Sequence, residues 1–375
     1  RYIHMRQAGI SKDSIRKAFQ TKIHMNVFSW KGDRDTVMSP MDSIRYSFGF
    51  LHAGLMSMET HTGFVKAYVG GIDYRYFKYD HVKMSKRQVG STFKPFLYTL
   101  AMQEGEFNPC SMVPNVPVTF ELYDGTLWTP KNSDDAREGQ MVPLKWALAN
   151  SVNYISAFLI KRYSPEAVIK IAQKMGITSE IPPVPSICLG TPEISLYEMT
   201  SAFNTFANQG VWVEPIMLTR IEDKSGNVLE SFVPRKEEAI SQETAYLMVE
   251  LMKGVVQSGT GVRLRYKYGF DNPIAGKTGT TQNQSDGWFI GLVPQLTTGV
   301  WVGGELRSIR FRNISMGQGA SMALPIWAYY MKRVYADPSL GIRKDDFERP
   351  SSVPPFNFNC PAIDEDAAVY QQDEF

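Results

Sequence analysis

The sequence predicts an α+β fold, on three observations: a hairpin pattern between residues 53 and 68, a central stretch of apolar-periodic helices, and strand-like runs at 272–281, 286–293 and 297–303. With 375 residues, 43% of them hydrophobic and 21% charged, the chain can bury a full-sized core as one large domain with extra pieces at its ends.

In chain order, residues 1–45 combine charged helical pieces (Lys12 to Lys22) with the polar stretch Lys31-Gly32-Asp33-Arg34-Asp35, which reads as a linker or small accessory element. Two apolar runs then flank Thr60-His61-Thr62-Gly63, a hairpin that starts the main sheet. From Thr92 to Glu104, Phe96, Leu97, Leu100 and Ala101 recur at helical spacing and Gly105 ends the helix. Pro95 is tolerated only in a first turn, which puts Ser91 at or just before that helix's N-terminus. Residues 141–163 read as helical with a break near Asn150-Ser151, and 195–208 and 242–257 as two further helices. Ile216 to Val233 alternates around Lys224-Ser225-Gly226-Asn227 as a second hairpin, and a last helix runs from Ser321 to Val334. Beyond Asp337 prolines and acids dominate, and from Asp364 five acids face no base, which predicts a weakly ordered tail.

Composition excludes several classes. A net charge of +2 without a long basic run argues against nucleic acid as a partner. No apolar stretch is long enough to span a bilayer, and the opening Arg1-Tyr2-Ile3-His4 is neither a start nor a signal pattern, so a piece of a longer protein is expected. Cys110, Cys188 and Cys360 lie far apart and predict buried or incidental thiols, not a disulfide framework. All five histidines fall in the first 81 residues without metal-ligand spacing, so no metal is expected and a histidine-based triad is disfavoured. Acid–base chemistry in the body of the chain falls to Lys, Asp, Glu or Tyr.

Ser91-Thr92-Phe93-Lys94 places a hydroxyl and an amine three residues apart on one helix face, a nucleophile with a built-in base. A lysine at its reference pKa of about 10.4 is neutral in about one molecule in 2,500 at pH 7, a deficit of roughly 4.6 kcal/mol. Burial and a second nearby cation must lower it. The same spacing occurs at Ser14-Ile15-Arg16-Lys17, but there in a helix with charges all round, whose ordinary reading is a solvated surface. Ser151-Val152-Asn153, at a helix break, can project a hydroxyl and an amide into a cleft, or Ser151 can cap the next helix. Lys277-Thr278-Gly279-Thr280 lies in a strand where glycine leaves room for a substrate backbone and lysine can face a carboxylate, which suits strand addition of an extended peptide. Lys224-Ser225-Gly226 mimics it but reads as a hairpin turn.

This ordered set resembles the active-site serine penicillin-recognising enzymes. Arg87-Gln88-Val89-Gly90-Ser91-Thr92-Phe93-Lys94-Pro95-Phe96, Trp128-Thr129-Pro130-Lys131-Asn132, Ala147 to Asn153, Gly259-Thr260-Gly261 and Gly276 to Thr281 leading to Asp286-Gly287-Trp288 look like the transpeptidase half of class A penicillin-binding proteins. Val89 departs from the family, which more often has proline there.

The resemblance implies a mixed, mainly antiparallel sheet flanked by helices over residues 46–335, after an interdomain linker (1–45) from an absent glycosyltransferase half and before an acidic tail (336–375). It implies that Ser91 attacks the penultimate D-alanine carbonyl of a peptidoglycan stem peptide, Lys94 takes the proton, and the N–H groups of Ser91 and Thr280 hold the oxyanion. By the same resemblance Ser151 and Lys277 pass a proton to the leaving amine, Asn153 binds the substrate amide, Thr278 and Thr280 meet the terminal carboxylate, and Gly279 completes the substrate-binding stretch. Inhibition by β-lactams, no cofactor, and a cell-envelope location with an upstream membrane anchor follow from the same resemblance. A D,D-carboxypeptidase or serine β-lactamase, and a non-turnover β-lactam sensor, share these motifs. Trp128 and Trp288 are candidates for the cleft wall, with a place in the core as the simpler expectation for each.

Overall fold

The computed structural model describes residues 2–134, 136–353, 358–360 and 363. The early hairpin folds as β1 (Leu51–Glu59) and β2 (Val65–Val69), and the late runs as β3 (Ala275–Thr280), β4 (Asp286–Val293) and β5 (Leu296–Gly304). They form one five-stranded sheet in the order β3-β4-β5-β1-β2 with every pair antiparallel. Every residue of β4 and β5 is buried, so both faces are covered. Because successive side chains point to opposite faces, the sheet divides the interior in two. Trp288, Ile290, Leu292 and Trp301 enter one core and Phe289, Val293, Val300 and Val302 the other.

The larger core is helical. Helix α1 (Lys94–Gln103) is buried at every position from Lys94 to Met102 and runs through its centre. Around it lie α2 (Leu144–Ala149), α3 (Asn153–Tyr163), α4 (Leu196–Ala207) and α5 (Gln242–Gln257), while α6 (Leu324–Ala336) covers the opposite face with Trp327. Two boundaries differ from expectation. Met141–Pro143 is a short strand paired with Met112–Pro114, where Pro143 precedes the helix. The last helix starts at Leu324, because Pro325 has no N–H to continue the preceding turn.

Residues 2–47 form helices Tyr2–Gln7, Lys12–Gln20 and Pro40–Ser47 and a hairpin of Ile23–Val27 with Arg34–Met38, whose connection carries Lys31-Gly32-Asp33. Ser14 is exposed. Lys224-Ser225-Gly226 is the tip of an exposed hairpin, tied by the Asp223 carboxylate to the N–H groups of Ser225 and Asn227. No helix among the described residues is long and apolar enough to cross a membrane.

The cysteine expectation is corrected. Cys110 and Cys360 form a disulfide, and only Cys188 is a free buried thiol. The partners are 250 residues apart, a tertiary contact that spacing along the chain does not reveal. The segment after α6 returns over the body, burying Phe347 and Val353 and pairing Asp346 with Lys253 at 2.6 Å. The acidic stretch from Asp364 lies outside the described residues.

Helix α4 starts at a capping box between Ser195 and Glu198. The Glu198 carboxylate also accepts from the backbone and hydroxyls of Thr178 and Ser179. Burial opposes its ionisation, but the donors of Ser195, Ser179 and Thr178 outweigh burial and hold the carboxyl at about 2 instead of 4.5. A depressed carboxyl stabilises the fold above its unfolded pKa and loses that contribution as pH falls through about 2. Glu198→Gln is therefore expected to cost about 3 kcal/mol at pH 7. It should also flatten the acid limb below pH 4.5, both measured by urea melts across pH.

Candidate active site

The approach to Ser91 is set by backbone. Strand Lys86–Gln88 pairs with Glu193–Ser195, Val89 N–H donates to Pro192 and Gly90 N–H to Gly190. A 3-10 turn, Gly90–Phe93, then carries Ser91 into α1, with Pro95 in its first turn. Gly90 and Gly190 have φ of 54° and 80° and approach closely: a Cβ on Gly190 would stand 1.7 Å from the Gly90 carbonyl oxygen, and one on Gly90 2.7 Å from that of Thr280. The turn is thus wedged between the 185–190 turn and β3.

Gly279 belongs to the same wedge. A Cβ there would meet the Val89 carbonyl oxygen at 2.7 Å and Thr92 Cγ2 at 2.9 Å. The space expected for a substrate backbone is filled by the nucleophile turn itself, and glycine is needed to seat that turn.

Ser91 is partly exposed, and no hydrogen bond among the described residues engages its Oγ. Lys94, one turn on, is 0% exposed. Its Nζ donates to the Ser151 carbonyl, to that of Val152 at 3.2 Å and to Asn153 Oδ1 at 2.7 Å. Ser151 occupies the gap between α2 and α3 at φ 60°, a left-handed conformation that a serine adopts only when its surroundings impose it. Its hydroxyl accepts from Lys277 Nζ at 3.0 Å, so both buried lysines converge on this residue.

Ser151 does not cap α3. That task falls to Asn132, whose Oδ1 accepts from the N–H groups of Asn153 and Tyr154, while Asn153 Nδ2 donates to the Lys131 carbonyl. Asn132 ends the stretch Trp128 to Asn132, and this cap is a role the sequence motif does not specify. The signal was its type, an amide able to satisfy orphan helix donors.

Strand β3 is an edge of the sheet. Thr281 N–H donates to the Asp286 carbonyl, so the antiparallel alternation turns the N–H and C=O of Thr280 to the open edge, toward the nucleophile turn. Thr278 Oγ1 bonds Thr260 Oγ1 at 2.6 Å, and Thr280 Oγ1 accepts from Gly319 N–H. A cavity of about 170 Å³ beside Ser151 is lined by Asn132, Asp134, Trp146, Asn150 and Thr260.

Burial brings the Lys94 ammonium down to about 7. Lys277, as fully buried, is pushed well below the ordinary lysine range by burial and then by the charge of Lys94. Lys277 therefore stands beside Lys94 as an amine whose own charge is disfavoured, and loss of water, not the expected second cation, lowers Lys94. Burial also keeps Cys188 protonated, raised to about 12.

Trp288 is a core residue, with Nε1 donating to the Gln88 carbonyl, and Trp128 pairs with Phe120 in a short hairpin. Behind the site the fully buried Asp286 accepts from Arg87 Nε at 2.7 Å and from Trp301 Nε1, linking the strand before Ser91 to β4 and β5. Removing one partner of such a pair strands the other charge. Asp286→Ala is expected to destabilise the chain by roughly 3 kcal/mol in denaturant melts.

A serine turn, two buried lysines converging on a second serine and the unpaired edge of β3 thus form one cluster. Residues 54–306 match the penicillin-binding protein transpeptidase domain, and residues 1–51 the penicillin-binding protein middle domain. The chain belongs to the penicillin-binding protein transpeptidase family, of class A type. It is 34% identical over 312 residues to penicillin-binding protein 1A of Aquifex aeolicus, covering 82% of this chain and 41% of that protein. With penicillin-binding protein 1B of Vibrio cholerae it shares 33% over 284 residues, covering 75% and 36%. It thus spans well under half the length of these relatives. Among solved structures, penicillin-binding protein 1A from Haemophilus influenzae superposes with a TM-score of 0.72 at 26% identity, over 81% of this chain and 49% of that one.

Proposed function

We propose that this chain is a D,D-transpeptidase that cross-links peptidoglycan stem peptides through an acyl-enzyme on Ser91. The observation that carries the reading is the convergence of Lys94 and Lys277 on Ser151, which supplies a neutral amine one turn from an unengaged hydroxyl.

Ser91 Oγ attacks the carbonyl carbon of the penultimate D-alanine as its proton passes to Lys94 Nζ. The N–H groups of Ser91 and Thr280 stabilise the oxyanion that forms. As the peptide C–N bond breaks, Ser151 and Lys277 relay a proton to the departing D-alanine amine. The substrate lies as an added strand along β3, its amide at Asn153 and its terminal carboxylate at Thr278 and Thr280. An amine from a neighbouring stem peptide then displaces Ser91 and leaves a cross-link. A β-lactam enters by the same first step, and its tethered leaving group blocks the second; a structure of similar fold, from Mycobacterium tuberculosis, holds penicillin V. The substrate places the chain at the outer face of the cytoplasmic membrane. Residues 46–335 form the transpeptidase unit, with 1–45 as an accessory segment before it and the described part of the segment after residue 335 packing back over it.

Intact mass after exposure to a fluorescent penicillin tests this. One stable adduct is expected, lost in Ser91→Ala and retained in Ser14→Ala. An adduct that survives Ser91→Ala contradicts the nucleophile, and one hydrolysed within seconds identifies a β-lactamase. Because neutral Lys94 is the base, the acylation rate should rise with pH through about 7 and then level. Lys94→Met should lower it by about 10²–10⁴-fold in stopped-flow assays.

A further inference from the structure

The fold brings together two histidines that lie apart in the sequence. His52, near the start of β1, is opposite Gly303 of β5, and Glu305 follows the end of β5. His81 comes from the loop between β2 and strand Lys86–Gln88, where its N–H donates to Gly70. The two imidazoles stack with centroids 4.8 Å apart, and His81 stacks on Trp301 at 5.0 Å. Phe77 and Tyr79 close the cluster edge-on.

His52 and His81 are 2% and 5% exposed, yet His52 Nδ1 and both ring nitrogens of His81 have no hydrogen-bond partner among the described residues. Buried polar atoms in a native fold are normally satisfied, and apolar ring stacking does not satisfy them. The acid that meets His52 is Glu305, whose Oε2 is 3.3 Å from His52 Nε2 and whose side chain is 43% exposed. One ligand atom from each of His52, His81 and Glu305 lies within 4.8 Å of the others.

We propose that His52, His81 and Glu305 form a binding site for a divalent transition-metal ion of the zinc type, separate from the Ser91 centre. Two imidazoles and a carboxylate are the donor set that Zn²⁺ takes in three-ligand sites, with a fourth position left for water. Zinc–ligand bonds of roughly 2.0–2.2 Å set tetrahedral donors about 3.4 Å apart, so the three atoms, now within 4.8 Å of one another, draw together on binding, the rings as well as the half-exposed Glu305 side chain moving. Burial holds both rings neutral, the form in which imidazole binds a metal. The nearby Arg87 guanidinium is already paired with Asp286 and with the Gly304 carbonyl. Asp80 beside His81 is engaged by Tyr68 and by Val82 N–H. An ion here would clip the start of β1 and the end of β5 to the loop that leads into Lys86–Gln88 and Ser91. Its role is structural, with no step in acyl transfer.

Calorimetric titration of the metal-free chain with Zn²⁺ tests the site, with Co²⁺ absorption as a second readout. The expected result is one ion per chain with a Kd in the micromolar range or below, weakened at least tenfold by His81→Ala and by Glu305→Gln, with a tetrahedral Co²⁺ spectrum lost in both. Glu305→Gln changes an exposed side chain, so it reports even if His81→Ala does not fold, and penicillin adduct formation checks that each variant is native. No stoichiometric binding, or binding that survives Glu305→Gln and His81→Ala unchanged, overturns the proposal.

Discussion

The structure around the site depends on one constraint, the removal of the Lys94 ammonium from water. A lysine that helps a serine attack must give up most of its affinity for a proton, and burial does this here by bringing it to about 7. That drop nearly cancels the roughly 4.6 kcal/mol deficit of an ordinary lysine at pH 7. Burial in turn demands acceptors for the amine, which explains why the chain breaks between α2 and α3. The break turns the carbonyls of Ser151 and Val152 to Lys94. It also forces Ser151 to φ 60°, aiming its hydroxyl at Lys277. Asn132 then satisfies the helix donors that the break exposes.

The second requirement is that Ser91 stand at the open edge of β3 without the chain between them being loose. Gly90, Gly190 and Gly279 meet it together, because backbone packs on backbone at distances that no Cβ allows. Arg87, Asp286 and Trp301 anchor the same turn from behind. The serine is thereby fixed by main chain and ion pair while its own hydroxyl is left free for chemistry.

Much of this was legible in the sequence. The apolar periodicities gave the sheet and the principal helices, since 2- and 3.6-residue repeats follow directly from which face is buried. The Ser-Lys spacing gave Ser91 and Lys94, because three residues on a helix are spatial neighbours. Contacts between distant segments were not legible. The Cys110–Cys360 bond, the stacking of His81 on His52 and the wedging of Gly279 against Val89 each depend on tertiary placement. Local motif reading assigned Gly279 to the substrate and Ser151 to a possible cap. Each failed because a partner far along the chain, the nucleophile turn in one case and Lys277 in the other, claims the position.

The most direct test of the account is the ionisation of Lys94 itself, followed by NMR of chain carrying ¹³Cε-labelled lysine, with Lys94→Met and Lys277→Met used to assign the two buried signals. A Lys94 titration midpoint near 7 is the expected result. A midpoint near 10.4, the value of a solvated lysine, would contradict burial as the source of the base.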